Sequence, residues 1–307
     1  MTDKAWIQSY PPGVPTAVDL DQYPSIRDIF EDASRKFADK TAFSNMGTGL
    51  TYERLDSLTR DFGAYLQSLP GMKKGDRVAF MMPNLLQYPI ALMGVLRAGC
   101  TVVNVNPLYT PRELEHQLND SKAKAIIIVE NFAHTLSAIE SKVKLDHVIL
   151  TKMGDRLGAL KGGIVNFVVK HIKKLVPAHS LKSFSRFNDV ISKGSQLSYK
   201  QPELNGGDIA FLQYTGGTTG LSKGAVLTHR NIVAAILQAE TWFAPALERM
   251  PDLRKVNSIA ALPLYHIFAL TLCLLAIRQG SHLTLVPNPR DFGKFIDVLK
   301  QRPFHML

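Results

Sequence analysis

Hydrophobic positions recur along the chain with two periods. Ile26, Ile29, Phe30, Ala33 and Phe37 fall at helical spacing, and Thr51 stands where it caps a second helix carrying Leu55, Leu58, Phe62 and Leu66. Residues 77–82 read as a buried strand, 85–98 as an apolar helix closed by Gly99, and 101–105 as the next strand. Thr110-Pro111-Arg112-Glu113 has the form of a capping box with proline at the first helical position, so a helix starts there. Strands at 125–129 and 147–150 complete this set. Strand and helix alternating at such short intervals predict an α/β fold, with layered parallel-type sheets flanked by helices.

Residues 154–199 break the rhythm, and a second α/β stretch begins at Asp208. Its strands are expected at 209–213, 225–227, 258–262 and 282–286, with helices after Thr228 and Asp291. The apolar run 259–277 contains Pro263, Tyr265 and His266, so it reads as a buried strand followed by a buried helix rather than a membrane span. Phe304-His305-Met306-Leu307 reads as a strand beginning after a helix. The expected organisation is an arm (1–22), a first α/β subdomain (23–150), a connecting segment (151–207) and a second α/β subdomain (208–307). That second subdomain reads as incomplete at residue 307.

Composition changes this picture in two places. With 307 residues, 46% hydrophobic and 20% charged, the chain is globular and not disordered. Two cysteines, Cys100 and Cys273, exclude a disulfide framework, no Cys/His cluster has zinc spacing, and a reducing, cytoplasmic setting fits. The net charge of +10 is local, because residues 151–200 carry +8 and all the rest only +2. That segment lacks interleaved aromatics and any DNA- or RNA-binding signature, so no specific nucleic acid is expected as partner.

Between Gly162-Gly163 and Pro177 a helix is expected. Ile164, Val165, Phe167, Val168, Val169, Ile172, Leu175 and Val176 share one arc at 100° per residue, and Asn166, Lys170, Lys173 and Lys174 the other. Two readings fit residues 161–177: a helix lying on an anionic membrane surface, peripheral on the cytoplasmic face, or a surface helix packed on its own protein body.

The densest chemistry is Tyr214-Thr215-Gly216-Gly217-Thr218-Thr219-Gly220-Leu221-Ser222-Lys223-Gly224-Ala225. Its glycines let backbone amides turn toward an anion, its hydroxyls add donors, and Lys223 adds a mobile positive charge; together they predict a phosphate cradle. The Gly-Lys-Ser/Thr ending of the common P-loop is missing, and this loop joins two strands where a P-loop runs from strand into helix.

The loop closely resembles the signature of the adenylate-forming acyl-CoA synthetase superfamily. Leu50-Thr51-Tyr52-Glu53, Gly75-Asp76-Arg77-Val78, Leu96-Arg97-Ala98-Gly99, Asn106-Pro107-Leu108-Tyr109-Thr110 and Leu262-Pro263-Leu264-Tyr265-His266 agree with it in order. Tyr214 to Ala225, with Thr228-His229-Arg230-Asn231, is similar to bacterial long-chain fatty acid-CoA ligases. The resemblance implies a two-step reaction: a fatty carboxylate attacks the α-phosphate of ATP with Mg2+, and the thiol of coenzyme A then displaces AMP. It implies that residues 214–225 hold the nucleotide phosphates and that Lys223 balances their charge. It places His266 where carboxylate, adenylate and thiol meet, although a histidine in apolar surroundings also reads as a core residue bonded to a carbonyl. The family's magnesium-ligand, ribose-binding, hinge and C-terminal lysine motifs have no match here, so the chain reads as the N-terminal part of such a ligase. Relatives that activate short-chain or aryl carboxylates, luciferase-like enzymes, and a non-catalytic membrane-binding fragment are the alternatives.

Overall fold

The computed structural model describes residues 5–215, 222–248, 256–301 and 303–306. In chain order the first elements are α1 (Ile26–Lys36), the hairpin β1 (Thr41–Asn45) and β2 (Thr48–Thr51), α2 (Tyr52–Ser68), β3 (Arg77–Met81), α3 (Gln87–Arg97) and β4 (Thr101–Asn104). They are followed by α4 (Pro111–Ser121), β5 (Ala123–Val129), α5 (Ala133–Ser137), β6 (His147–Thr151), α6 (Ala159–Phe167), β7 (Ser185–Arg186) and α7 (Phe187–Gly194). The last are β8 (Ile209–Thr215), β9 (Lys223–Thr228), α8 (His229–Leu247), β10 (Asn257–Ala260), α9 (Ile267–Arg278), β11 (His282–Leu285) and α10 (Phe292–Gln301).

The strands form a seven-stranded sheet, β7-β6-β5-β3-β4-β8-β9, and a four-stranded sheet, β10-β11-β1-β2. Pairing is parallel except at the two antiparallel hairpins β1-β2 and β8-β9. Membership of the sheets cuts across the stretches 23–150 and 208–307. β8 extends the first set of strands beside β4, while β1 from the N-terminal stretch pairs with β11. The β1-β2 hairpin and β7 escape the periodicity reading because runs of two to five residues are too short to display a period.

Side chains of the large sheet alternate between two cores. Val78, Phe80, Val102, Ala125 and Ile127 face α1, α2, α3, α8 and α9, which fill the space toward the small sheet. Ala79, Met81, Val103, Ile126 and Ile128 face α4 and α5 on the opposite side. Both faces are covered, which is why these strands read as continuous apolar runs. α3 is buried along its whole length between the sheets.

The predicted caps are present. Thr51 accepts from the Arg54 amide at 3.2 Å, and the box at Thr110 is closed by Glu113 in both directions. Asp76 bonds the Lys73 amide and pairs with Lys124, which keeps it structural. The run 259–277 is β10 leading into α9, and among the described residues no helix is long and apolar enough to cross a membrane. Met306 makes an isolated parallel bridge to Ser258 of β10.

Candidate functional site

β8 and β9 pair antiparallel with Gln213 opposite Ala225, Tyr214 opposite Gly224 and Thr215 opposite Lys223. Thr215 and Lys223 are therefore exposed partners at the open end of the ladder, where the loop leaves and returns. Gly216, Gly217, Thr218, Thr219, Gly220 and Leu221, all expected in the cradle, lie outside the described residues. Gly224 has a steric reason to be glycine. A Cβ there would stand 3.0 Å from the Tyr214 ring, which lies across the partner strand.

Helix α4 grips both feet of this hairpin from below. Tyr214 donates its hydroxyl to Asp120 Oδ2 at 2.5 Å, and His116 Nε2 lies 2.9 Å from the Ser222 carbonyl. His116 and Asp120 are four residues apart, so a helix places them on one side. Burial and the Asp120 carboxylate hold the Tyr214 phenol protonated far above its ordinary range. Neither His116 nor Asp120 carries a sequence signal, because a polar residue on an amphipathic helix looks like any solvated position.

His266 is the N-cap residue of α9 and is exposed, its ring 4.5 Å from that of Tyr265. It is not the core histidine that the apolar run suggested. The segment in front of it is pinned by a buried polar network. Asn84 donates to the carbonyls of Ala260 (3.0 Å) and Leu262 (2.9 Å) and accepts from the Leu264 amide at 2.9 Å. Tyr88 donates to Asn104 Oδ1 at 2.6 Å, with the Leu264 carbonyl 2.9 Å from the same hydroxyl. Asn104 Nδ2 donates to Gln213 Oε1 at 3.1 Å, and Gln213 Nε2 donates to the Tyr265 carbonyl at 2.9 Å. The His266 segment is thus tied to the turn after β3, to α3 and β4, and to the strand that enters the glycine loop. Sequence reasoning passed over these four residues, although an Asn or Gln at the end of a wholly apolar strand is itself a signal that a buried partner awaits it.

The chemistry available is electrostatic. Lys223 presents a mobile cation beside the hydroxyls of Thr215 and Ser222, an arrangement suited to a polyphosphate. Burial pushes the thiols of Cys100 and Cys273 up to about 12, so neither is a nucleophile. Among the described residues no three His, Cys, Asp or Glu side chains gather as metal ligands.

The basic segment departs from the single long helix expected. α6 starts before Gly162-Gly163, and after Phe167 the chain passes through a π-helical turn (Val168–Ile172), with Lys174 in the left-handed region at φ +51°. Gly162 lies inside the helix because a Cβ there would meet the Gly154 carbonyl at 2.3 Å. Asn166, one turn on, accepts from the Gly154 amide at 2.7 Å and donates to Asp155 at 3.2 Å. The helix therefore docks through its small and polar side. Leu160, Ile164 and Phe167, with Ile172 and Leu175 beyond, remain 54 to 80% exposed. Lys170 pairs with Glu130 at 3.2 Å.

A long-chain-fatty-acid–CoA ligase of Yersinia pestis is 54% identical over 303 residues, 98% of this chain and 53% of that protein. The chain spans about half the length of the curated relatives it matches. Among solved structures, an anthranilate CoA ligase in complex with anthranoyl-AMP superposes with a TM-score of 0.74 at 19% identity, covering 92% of this chain and 50% of that one. A long-chain-fatty-acid–CoA ligase from Archaeoglobus fulgidus superposes with a TM-score of 0.72 at 24% identity, covering 95% and 52%. The family described as AMP-binding enzyme matches residues 30–307, nearly the whole length, and the chain belongs to it.

Proposed function

We propose that this chain provides the nucleotide-phosphate site of an enzyme that activates a long-chain fatty acid, first to an acyl-adenylate with ATP and then to a thioester with coenzyme A. The observation that carries the reading is the pairing of Lys223 with Thr215 at the mouth of the glycine loop, fixed through Gln213 to the segment that bears His266. In this reading residues 214–225 hold the nucleotide phosphates, with ATP supplied together with Mg2+. Lys223 offsets the charge that develops as pyrophosphate departs. His266, exposed at the start of α9, faces the reacting carboxylate and later the thiol. The long-chain names of relatives at 50–54% identity favour a fatty acid over an aryl or short-chain acid.

Residues 161–177 are proposed to rest on an anionic membrane surface at the cytoplasmic face. The outward row of Leu160, Ile164 and Phe167 supports this over burial against the protein's own body. Calorimetric titration of the chain with ATP tests the site: heat of binding is expected for wild type and is weakened by Lys223→Ala. Equal binding by both removes the role given to Lys223. Flotation with phosphatidylglycerol vesicles tests the surface, where Lys170/Lys173/Lys174→Glu is expected to stay unbound, and binding equal to wild type refutes it.

A further inference from the structure

Helix α4 takes no part in the reaction proposed above, yet its side chains meet the glycine loop where the loop rejoins the sheet. The capping box at Thr110 and the proline at the first helical position fix where α4 starts, and so which of its residues face the hairpin. Ser222 is the residue just before β9, one position outside the ladder that ends with Thr215 opposite Lys223. Its carbonyl lies 2.9 Å from His116 Nε2. A carbonyl only accepts, so His116 is the donor and Nε2 carries the proton. That carbonyl belongs to the rigid peptide plane joining Ser222 to Lys223, and holding the plane sets the direction from which the Lys223 side chain departs. Tyr109, one residue before the cap, faces Ser222 as well. Burial and then Glu113 raise its phenol above the ordinary range, and a hydrogen bond with the Ser222 hydroxyl works against them.

The residue on the other side of Lys223 rests on the same helix. Gly224 lies on the Tyr214 ring, so close that a Cβ would stand 3.0 Å from it, and the Tyr214 hydroxyl is bonded to Asp120, one turn of α4 beyond His116. Both neighbours of Lys223 are thus referred to one helix. Lys223 itself points the other way. Tyr214 belongs to the core on the α4 side of the sheet, and strand alternation puts Thr215 and Lys223 on the opposite face. Helix α4 therefore reaches the Lys223 ammonium only through the backbone of residues 222–224.

We propose that His116 is a positioning residue for Lys223, and that Asp120, acting through Tyr214, is its second support. Neither touches the nucleotide. The proposal rests on the reading of residues 214–225 as the phosphate-holding loop, and adds the part of the chain that aims its cation. A lysine that pairs with phosphate gives up backbone and side-chain freedom, and a backbone already held from both sides gives up less. The support therefore strengthens binding only while residue 223 carries a charge to aim.

The test is a double-mutant cycle on the 307-residue chain, read by calorimetric titration with ATP. His116→Ala is expected to weaken ATP binding about fivefold, as the loss of one hydrogen bond would. His116→Gln, whose amide donates from a similar place, is expected to bind as wild type does. Placed on Lys223→Ala, the further change His116→Ala is expected to cost nothing, and Asp120→Ala is expected to show the same dependence on Lys223. A role confined to stability would lower the melting temperature and weaken ATP binding equally with and without Lys223. That result overturns the proposal, as does wild-type ATP affinity in His116→Ala; a loss that His116→Gln fails to restore overturns the hydrogen-bond assignment. Lys223→Ala weakened with His116→Ala unaffected removes this proposal alone. No ATP binding by wild type, or equal binding by Lys223→Ala, removes the reading of the loop and the role of His116 with it.

Discussion

Gln213 Nε2 donates to the Tyr265 carbonyl at 2.9 Å, across the boundary between the strand that enters the glycine loop and the segment that ends at His266. The two motifs that carry the proposed chemistry follow strands of different sheets, β8 and β10, and the bonded residues are 52 positions apart in sequence, yet one side chain spaces them. Gln213 also accepts from Asn104, so it has no idle polar atom. Gln213→Leu removes both bonds and leaves the Asn104 amide without its acceptor. A loss of about 2 kcal/mol in urea unfolding is expected, because an orphaned buried polar group costs the full desolvation penalty. Gln213→Glu, which keeps an acceptor but removes the donor to Tyr265, tests the direction of the second bond; equal stability of Gln213→Leu and wild type would contradict the network.

Arg97, inside the Leu96-Arg97-Ala98-Gly99 motif, is fully buried and serves the fold. Its guanidinium pairs with Asp56 and with Glu31 at 3.1 Å, donates to Thr59 at 2.7 Å and lies 5.0 Å from the Phe30 ring centre. Arg97→Ala leaves Glu31 on α1 without its ion-pair partner and Asp56 on α2 with Arg60 alone, and a loss of about 3 kcal/mol is expected in chemical denaturation. ATP affinity measured below the new transition is expected to stay at the wild-type value.

Stability is expected to fall on the acid side, and His229 supplies a reason. His229 is buried, and its Nδ1 accepts the otherwise orphaned Ile26 amide at the start of α1 at 3.3 Å. Burial first, with Arg27 and Lys74 adding to it and Asp208 opposing, pulls its pKa down from 6.5 to about 4. The fold favours the neutral ring, so this contribution is complete above pH 6.5 and is lost as pH falls from there through 4. The span corresponds to about 3 kcal/mol. Unfolding free energy measured between pH 7 and 4 should flatten in His229→Gln, which cannot titrate; an unchanged slope would move the acid sensitivity elsewhere.

Long apolar runs made most of the α/β scaffold legible, since a strand covered on both faces and a helix buried all round leave strong patterns in a single chain. The glycine loop stands out through composition alone, and the strands on either side of it pair as expected, while residues 216–221 lie outside the described residues. Relations across the fold were not legible. Gly224 reads as one more flexible residue until Tyr214 lies across it, and Gly162 reads as a helix breaker until Gly154 approaches it. The outward face of α6 defeats the usual inference from an apolar stripe, because the small side chains, not the large ones, determine which side of a helix reaches close to another backbone.

The most direct test of the central claim is palmitate-dependent exchange of pyrophosphate into ATP. It is measured on residues 1–307 joined to the C-terminal half of a bacterial long-chain-fatty-acid–CoA ligase relative, with Lys223 intact or replaced by alanine. The account predicts exchange that requires palmitate and drops about 100-fold in Lys223→Ala. Exchange that proceeds equally without palmitate, or that survives Lys223→Ala undiminished, would contradict it.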